Sequence, residues 1–152
     1  MLVLPAAPGG EIPKPAPAPV EFPDPGRVSP LAGLRVLLVD DEDALRRPLA
    51  KYLTRRGADV LEATNGEEAL KVLEQNEVQA IVADLRMPRM DGMEMYSALE
   101  AARPDLARRV IFLSGDLSEL AAAGRLQIPN ERILLKPVEL RILEETVEAL
   151  VR

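Results

Sequence analysis

Four mostly apolar runs in this chain each end in a residue able to do chemistry. Leu34–Val39 runs into Asp40-Asp41-Glu42, Ala80-Ile81-Val82-Ala83 into Asp84, Arg109–Leu113 into Ser114, and Arg132–Leu135 into Lys136. Each has an ordinary explanation when taken alone. An Asp leaving a strand commonly caps a turn or helix, a Ser there is a turn residue, and a lone Lys is a solvated charge. Capping needs one acid, however, and at Asp40-Asp41-Glu42 three stand together. Carboxylates held that close repel one another unless a cation or a proton intervenes. A hard divalent ion with oxygen ligands resolves the repulsion, and Mg²⁺ suits a partly hydrated site beside a phosphate. Carboxylates, a hydroxyl and an ammonium gathered in one place suit phosphoryl transfer, where the protein mainly positions groups and neutralises charge.

These residues meet only if the runs are strands that end on one edge of a sheet. The elements between them allow it. After the first acids, Leu45, Leu49, Tyr52 and Leu53 share a helical face, and Gly57 stands where a C-terminal cap belongs. Pro48 lies inside that helix and predicts a kink or a late start. Ala58–Leu61 reads as a short second strand, and Thr64-Asn65-Gly66-Glu67 as a capping box opening a helix through Leu73. Ala80–Asp84 is the third strand, stopped by the loop Leu85-Arg86-Met87-Pro88-Arg89-Met90-Asp91-Gly92. Asp91 with Glu94 starts the next helix, buried through Tyr96 and Leu99, and Met87, Met90, Met93 and Met95 supply adaptable packing around it. A short helix follows Ser114 from about Leu117 to Gly124, and Ile128–Asn130 leads into the fifth strand. Val138–Arg152 forms the last helix, with Leu140, Leu143, Val147 and Leu150 inward. Five strands alternating with helices imply a parallel sheet with right-handed crossovers. Ligands of such sheets bind at the carboxyl ends of the strands, where strand order reverses.

Composition removes several other chemistries. With no Cys there is neither a disulfide framework nor a thiolate site, and with no His there is no zinc hydrolase or Ser-His-Asp catalysis. A net charge of −6 without a basic stripe argues against nucleic acid as a partner. The start of the chain lacks a signal-peptide pattern, and no run reaches the length of a membrane span, so a cytoplasmic chain without membrane contact is expected. Nine of the fourteen prolines fall in Met1–Pro30, with repeats such as Pro13-Lys14-Pro15-Ala16-Pro17 that favour extended polyproline II. Residues 1–33 are therefore expected to be a largely disordered linker and residues 34–152 one domain.

Val39-Asp40-Asp41-Glu42, the stretch Asp84 to Gly92, Leu113-Ser114-Gly115 and Leu135-Lys136-Pro137 together resemble the receiver domain of two-component response regulators, from about Leu34 to Arg152. The resemblance implies a flavodoxin-like, doubly wound α/β sandwich with a five-stranded parallel sheet in the order 2-1-3-4-5. It makes Asp84 the phosphoacceptor, attacking a phosphohistidine of a histidine kinase or histidine phosphotransfer protein. Asp41 and Asp84 would bind Mg²⁺ (or Mn²⁺) directly, Asp40 largely through water, and the backbone carbonyl of Arg86 would complete the protein ligands. Lys136 would pair with phosphoryl oxygens, and the Ser114 hydroxyl would hydrogen-bond one of them. Such a domain catalyses its own phosphorylation and dephosphorylation rather than acting as a conventional enzyme.

The chain departs from the family pattern in strand five, where Ile133 replaces the usual Tyr or Phe three residues before the Lys. An aromatic switch coupled to Ser114 is then expected to be lost, with the Ser114-Gly115-Asp116 loop and the helix after it left to carry any response. Arg86 and Asp116 flank the site at positions that tune phosphoryl lifetime in the family, and an ion pair between them is expected to shade the phosphoryl group from water. Leu2-Val3-Leu4-Pro5-Ala6-Ala7 resembles the last strand of histidine-kinase ATPase domains, which implies the receiver of a hybrid sensor kinase as an alternative to a stand-alone regulator. Two other functions compete. A pseudo-receiver would bind partners without taking phosphate. A haloacid-dehalogenase-like phosphatase would use Asp41 as nucleophile, but it needs a late acidic pair where this chain has Lys136-Pro137.

Overall fold

The computed structural model describes residues 31–116, 118 and 128–151. The linker expected over residues 1–33 lies outside them as far as residue 30, and so does the helix expected after Leu117, apart from Ser118. Five strands, β1 (Arg35–Val39), β2 (Asp59–Ala63), β3 (Ala80–Asp84), β4 (Val110–Ser114) and β5 (Ile133–Leu135), form one sheet in the order β2-β1-β3-β4-β5. Every pairing is parallel, so all carboxyl ends share one rim.

Because side chains alternate across a strand, the central strands are apolar on both faces and sort the core into two layers. Val36, Leu38, Ala80, Val82, Ile111 and Leu113 pack on Leu49, Ala50 and Leu53 of α1 (Asp43–Arg55) and on Leu143 and Val147 of the last helix, here α5 (Leu140–Val151). Leu37, Val39, Ile81, Ala83, Val110 and Phe112 face the opposite way. They meet Ala69 and Leu73 of α2 (Gly66–Gln75), Met95, Tyr96 and Leu99 of α3 (Gly92–Ala102), and the short α4 (Pro104–Ala107). The Tyr96 ring stands edge-on to Phe112 at 5.5 Å between centroids, a favourable aromatic geometry. Met87 and Met95 are buried in this layer, and Met90 and Met93 pack on it. Leu31, ahead of the expected start at Leu34, is fully buried in the other layer.

Several local expectations shift. α1 runs unbroken from Asp43 through Pro48, so there is no late start. Pro48, inside the helix, forfeits the hydrogen bond to the Ala44 carbonyl and sets its ring against that oxygen, yet the helix continues to Arg55. The buried stripe of α1 is Arg46, Leu49, Ala50 and Leu53, and Leu45, expected inward, is 40% exposed. A charged residue takes the first stripe position and turns Leu45 toward solvent. The cap of α2 is Asn65, whose side chain accepts from the Glu68 N–H at 2.9 Å, while Thr64 bonds the Glu68 carboxylate. The cap is thus one residue later than Thr64, and the acid that answers it is Glu68 in place of Glu67, taking the Thr64 hydroxyl. Asp91 caps α3 on the Glu94 N–H as expected, and Gly57 follows α1 at φ 105°.

Candidate functional site

From β1 the chain passes to β2 on one side, and β3 lies on the other, so strand order reverses beside β1. A crevice opens at such a point because the two crossovers leave in opposite directions. Asp40 follows β1 directly, Asp84 and Ser114 are the last residues of β3 and β4, and Lys136 follows β5.

Asp40 is held on several sides. Its N–H continues the sheet ladder to the Ala63 carbonyl at 3.1 Å, and its Oδ1 accepts from the Glu42 N–H at 2.9 Å. The side chain is buried, and Oδ2 has no hydrogen-bond partner among the described residues. Asp84 is also buried; its Oδ1 accepts from the Arg86 N–H at 3.2 Å and its Oδ2 meets the Lys136 ammonium at 2.7 Å. Lys136 is steadied by its own N–H, which donates to the Ser114 carbonyl at 2.8 Å. Asp41 is exposed and lines an open cleft of about 570 Å³ with Arg86, Met87 and Asp91. One carboxylate oxygen from each of Asp40, Asp41 and Asp84 lies within 4.8 Å of the others. The structure therefore brings together the three acids and Lys136. Ser114 is fully buried beside them, its hydroxyl donating to the Asp116 carbonyl at 2.9 Å.

Burial, and then the neighbouring charges of Asp84 and Asp41, raise the Asp40 carboxyl above the usual range, against the pull of the Glu42 N–H and Lys136. Burial acts to lower Lys136, but the hydrogen bond and charge of Asp84, reinforced by Asp40 and Glu42, hold the ammonium above the ordinary lysine value. Asp40 is thus destabilised as an anion while Lys136 is locked as a cation. A buried carboxylate oxygen without a donor, facing two further carboxylates, is a donor set suited to a hard divalent cation.

Two glycines set the loop between β3 and α3. A Cβ on Gly92 would stand 2.3 Å from the Asp84 carbonyl oxygen, and one on Gly66 would stand 2.7 Å from that of Met90. The Gly66 N–H instead donates to the Met90 carbonyl at 2.7 Å and ties the loop to α2. Ile133 is half-buried, aligned with Phe112 in the sheet and packed on the α2–α3 layer. One site residue escaped the sequence reading. Arg46 is buried in α1, and its guanidinium donates to the Asp40 carbonyl at 2.7 Å and to Glu62 at 2.8 Å. A lone Arg on a helix gives no such signal.

The family model for the response regulator receiver domain matches residues 36–148, and the chain belongs to that family. Among curated proteins it is 38% identical over 115 residues to the sensor kinase CckA of Brucella abortus, covering 74% of this chain and 12% of that protein. It is 31% identical to the transcriptional regulatory protein GlrR of Escherichia coli over 74% of this chain and 25% of the relative. It is 35% identical to the response regulator MprA of a Mycobacterium species over 78% of this chain and 51% of the relative. The chain thus spans from about an eighth to about half of the length of these proteins. Among solved structures, a response regulator receiver protein from Pseudomonas putida superposes with a TM-score of 0.67 at 32% identity, covering 78% of this chain and 98% of that one. The receiver domain of a signal transduction histidine kinase from Syntrophus aciditrophicus gives 0.69 at 26% identity, covering 78% and 90%. This is a two-component receiver domain with the flavodoxin-like order 2-1-3-4-5. Among the described residues no helix is long and apolar enough to cross a membrane.

Proposed function

We propose that this receiver takes a phosphoryl group from a phosphohistidine onto Asp84, as a step in a cytoplasmic phosphorelay with a histidine kinase or histidine phosphotransfer protein. The observation that carries the reading is the Lys136 ammonium 2.7 Å from Asp84, set against three carboxylates within 4.8 Å. An Asp84 oxygen forms the bond to phosphorus as the phosphorus–nitrogen bond of the donor breaks, and the electron pair leaves on the imidazole. A carboxylate approaches an anionic phosphoryl group only when the repulsion is offset. Asp40, Asp41, Asp84 and the Arg86 carbonyl would hold Mg²⁺ or Mn²⁺, which supplies that neutralisation. Lys136 moves from Asp84 Oδ2 to the arriving phosphoryl oxygens, and the Ser114 hydroxyl turns from the Asp116 carbonyl to one of them. Arg86, which lines the cleft, and Asp116 pair across the phosphoryl group and slow its hydrolysis. Ile133 removes the aromatic relay, so the response travels through the Ser114-Gly115-Asp116 loop.

Labelling by acetyl phosphate tests the reading. Uptake that requires Mg²⁺ and disappears in Asp84→Asn supports it. A wild-type chain that takes no label with Mg²⁺ present is instead a pseudo-receiver, and label on Asp41 marks the phosphatase alternative. The 38% identity with the sensor kinase CckA supports a kinase-attached receiver. A kinase core encoded ahead of Met1 would bear this out, and its absence would point to a stand-alone regulator.

A further inference from the structure

Arg46 is the one buried basic residue among the described residues whose side chain touches the acid-bearing backbone. Its three contacts go to three elements. Nη1 donates to the Asp40 carbonyl at 2.7 Å, Nε to Glu62 on β2 at 2.8 Å, and Nη2 to Asp43 in the first turn of α1 at 2.5 Å. The carbonyl matters most. The Asp40 N–H takes the last rung of the ladder, and β2 ends at Ala63, so the carbonyl oxygen has no strand to bond and would be a buried acceptor in search of a donor. It also belongs to the peptide joining Asp40 to Asp41. That unit is planar, so holding its carbonyl fixes where both Cα atoms stand and narrows the backbone rotations that aim their side chains. With Oδ1 of Asp40 tied to the Glu42 N–H, the Arg46 bond is a second restraint on the Asp40–Asp41 backbone, applied from α1. The guanidinium adds little net positive charge, since two carboxylates already pair with it.

We propose that Arg46 is a positioning residue that orients Asp40 and Asp41 for divalent-cation binding, and this rests on the reading of the acid cluster as a Mg²⁺ site. Arg46 touches neither the phosphoacceptor nor Lys136; it acts through one peptide. A purely structural clamp, holding β2 to α1, would lower stability when lost but leave the cation affinity of the folded protein unchanged.

The test titrates the full chain with Mg²⁺, following the Asp41 and Glu42 amide resonances, and measures hydrogen exchange of those amides in EDTA. Arg46→Met, which keeps the stem without donors, should raise the Mg²⁺ Kd about tenfold (about 1.4 kcal/mol) and speed exchange at Glu42. The labelling rate at saturating Mg²⁺ should stay within about twofold. Should Arg46→Met not fold, Arg46→Lys serves. It keeps the charge and the Asp43 pair but cannot span Glu62 and the Asp40 carbonyl together, and a Kd rise of roughly threefold is expected. Wild-type Mg²⁺ affinity and Glu42 exchange in the folded variants overturn the role of Arg46 while leaving the receiver chemistry intact. Failure of the wild-type chain to bind Mg²⁺ overturns the functional reading and this inference with it.

Discussion

Replacing Asp40 with Asn should stabilise the metal-free protein. Two unit charges 4.8 Å apart repel by about 0.9 kcal/mol in water and about 3.5 kcal/mol at an effective dielectric of 20. Asp40 faces two such neighbours, Asp41 and Asp84, and Lys136 offsets part of the repulsion. The net relief is then on the order of 1–3 kcal/mol. Asn keeps an oxygen for the Glu42 N–H and puts an amide donor where Oδ2 now lacks one. Urea unfolding at neutral pH in EDTA measures the difference. The pH dependence has a definite sign. Asp40 is raised in the folded state, so its protonated form contributes stability below the ordinary carboxyl value that is lost as pH rises through the raised one. The advantage of Asp40→Asn should therefore shrink as pH falls through that window. In Mg²⁺ at ten times its Kd the wild type should recover about 1.4 kcal/mol, and the variant less. If Asp40→Asn is less stable than wild type in EDTA at neutral pH, the acids are not in repulsive contact and the reasoning fails.

Gly92→Ala should cost stability although Ala is the better helix former, by about 1 kcal/mol. The new Cβ would meet backbone at 2.3 Å, and overpacking of this kind costs about 1–3 kcal/mol. A thermal midpoint at or above wild type would show that the Asp84 carbonyl can give way. Glu144 on α5 is buried against Arg56 and lies 3.4 Å from the Tyr52 hydroxyl. Glu144→Ala should cost about 2–3 kcal/mol in urea unfolding, and a loss below about 0.5 kcal/mol would mean that solvent replaces the pair. Arg86→Ala should shorten the lifetime of the phosphorylated form several-fold in a hydrolysis time course, and an unchanged decay would remove Arg86 from that role.

The sheet and its rim of acids could be read from sequence because each run is short, apolar on both faces and ended by a polar residue. Such a pattern leaves few arrangements besides a buried parallel strand. Arg46 could not. Its role depends on the register that puts Glu62 opposite Leu38 at the edge of the sheet, a long-range fact that no window of sequence holds. The same substitution of an Arg into the apolar stripe misplaced Leu45, since periodicity counts only hydrophobic residues. Thr64 and Asn65 are both good caps, and one residue decides between them only once α2 docks. Pro104–Ala107 went unread because four residues carry no period.

All five strands point the same way, and this has a consequence for whatever is joined to the domain. Leu31 enters beside the end of α1, bonded to the Arg56 carbonyl, at the rim away from the acids. α5 begins near Lys136 and runs back toward that same rim, passing Arg56 at Glu144. Both ends of the described domain therefore lie toward the rim opposite Asp40, Asp41 and Asp84. The acids and Lys136 stand at the opposite rim, where the cleft lined by Asp41 and Arg86 opens.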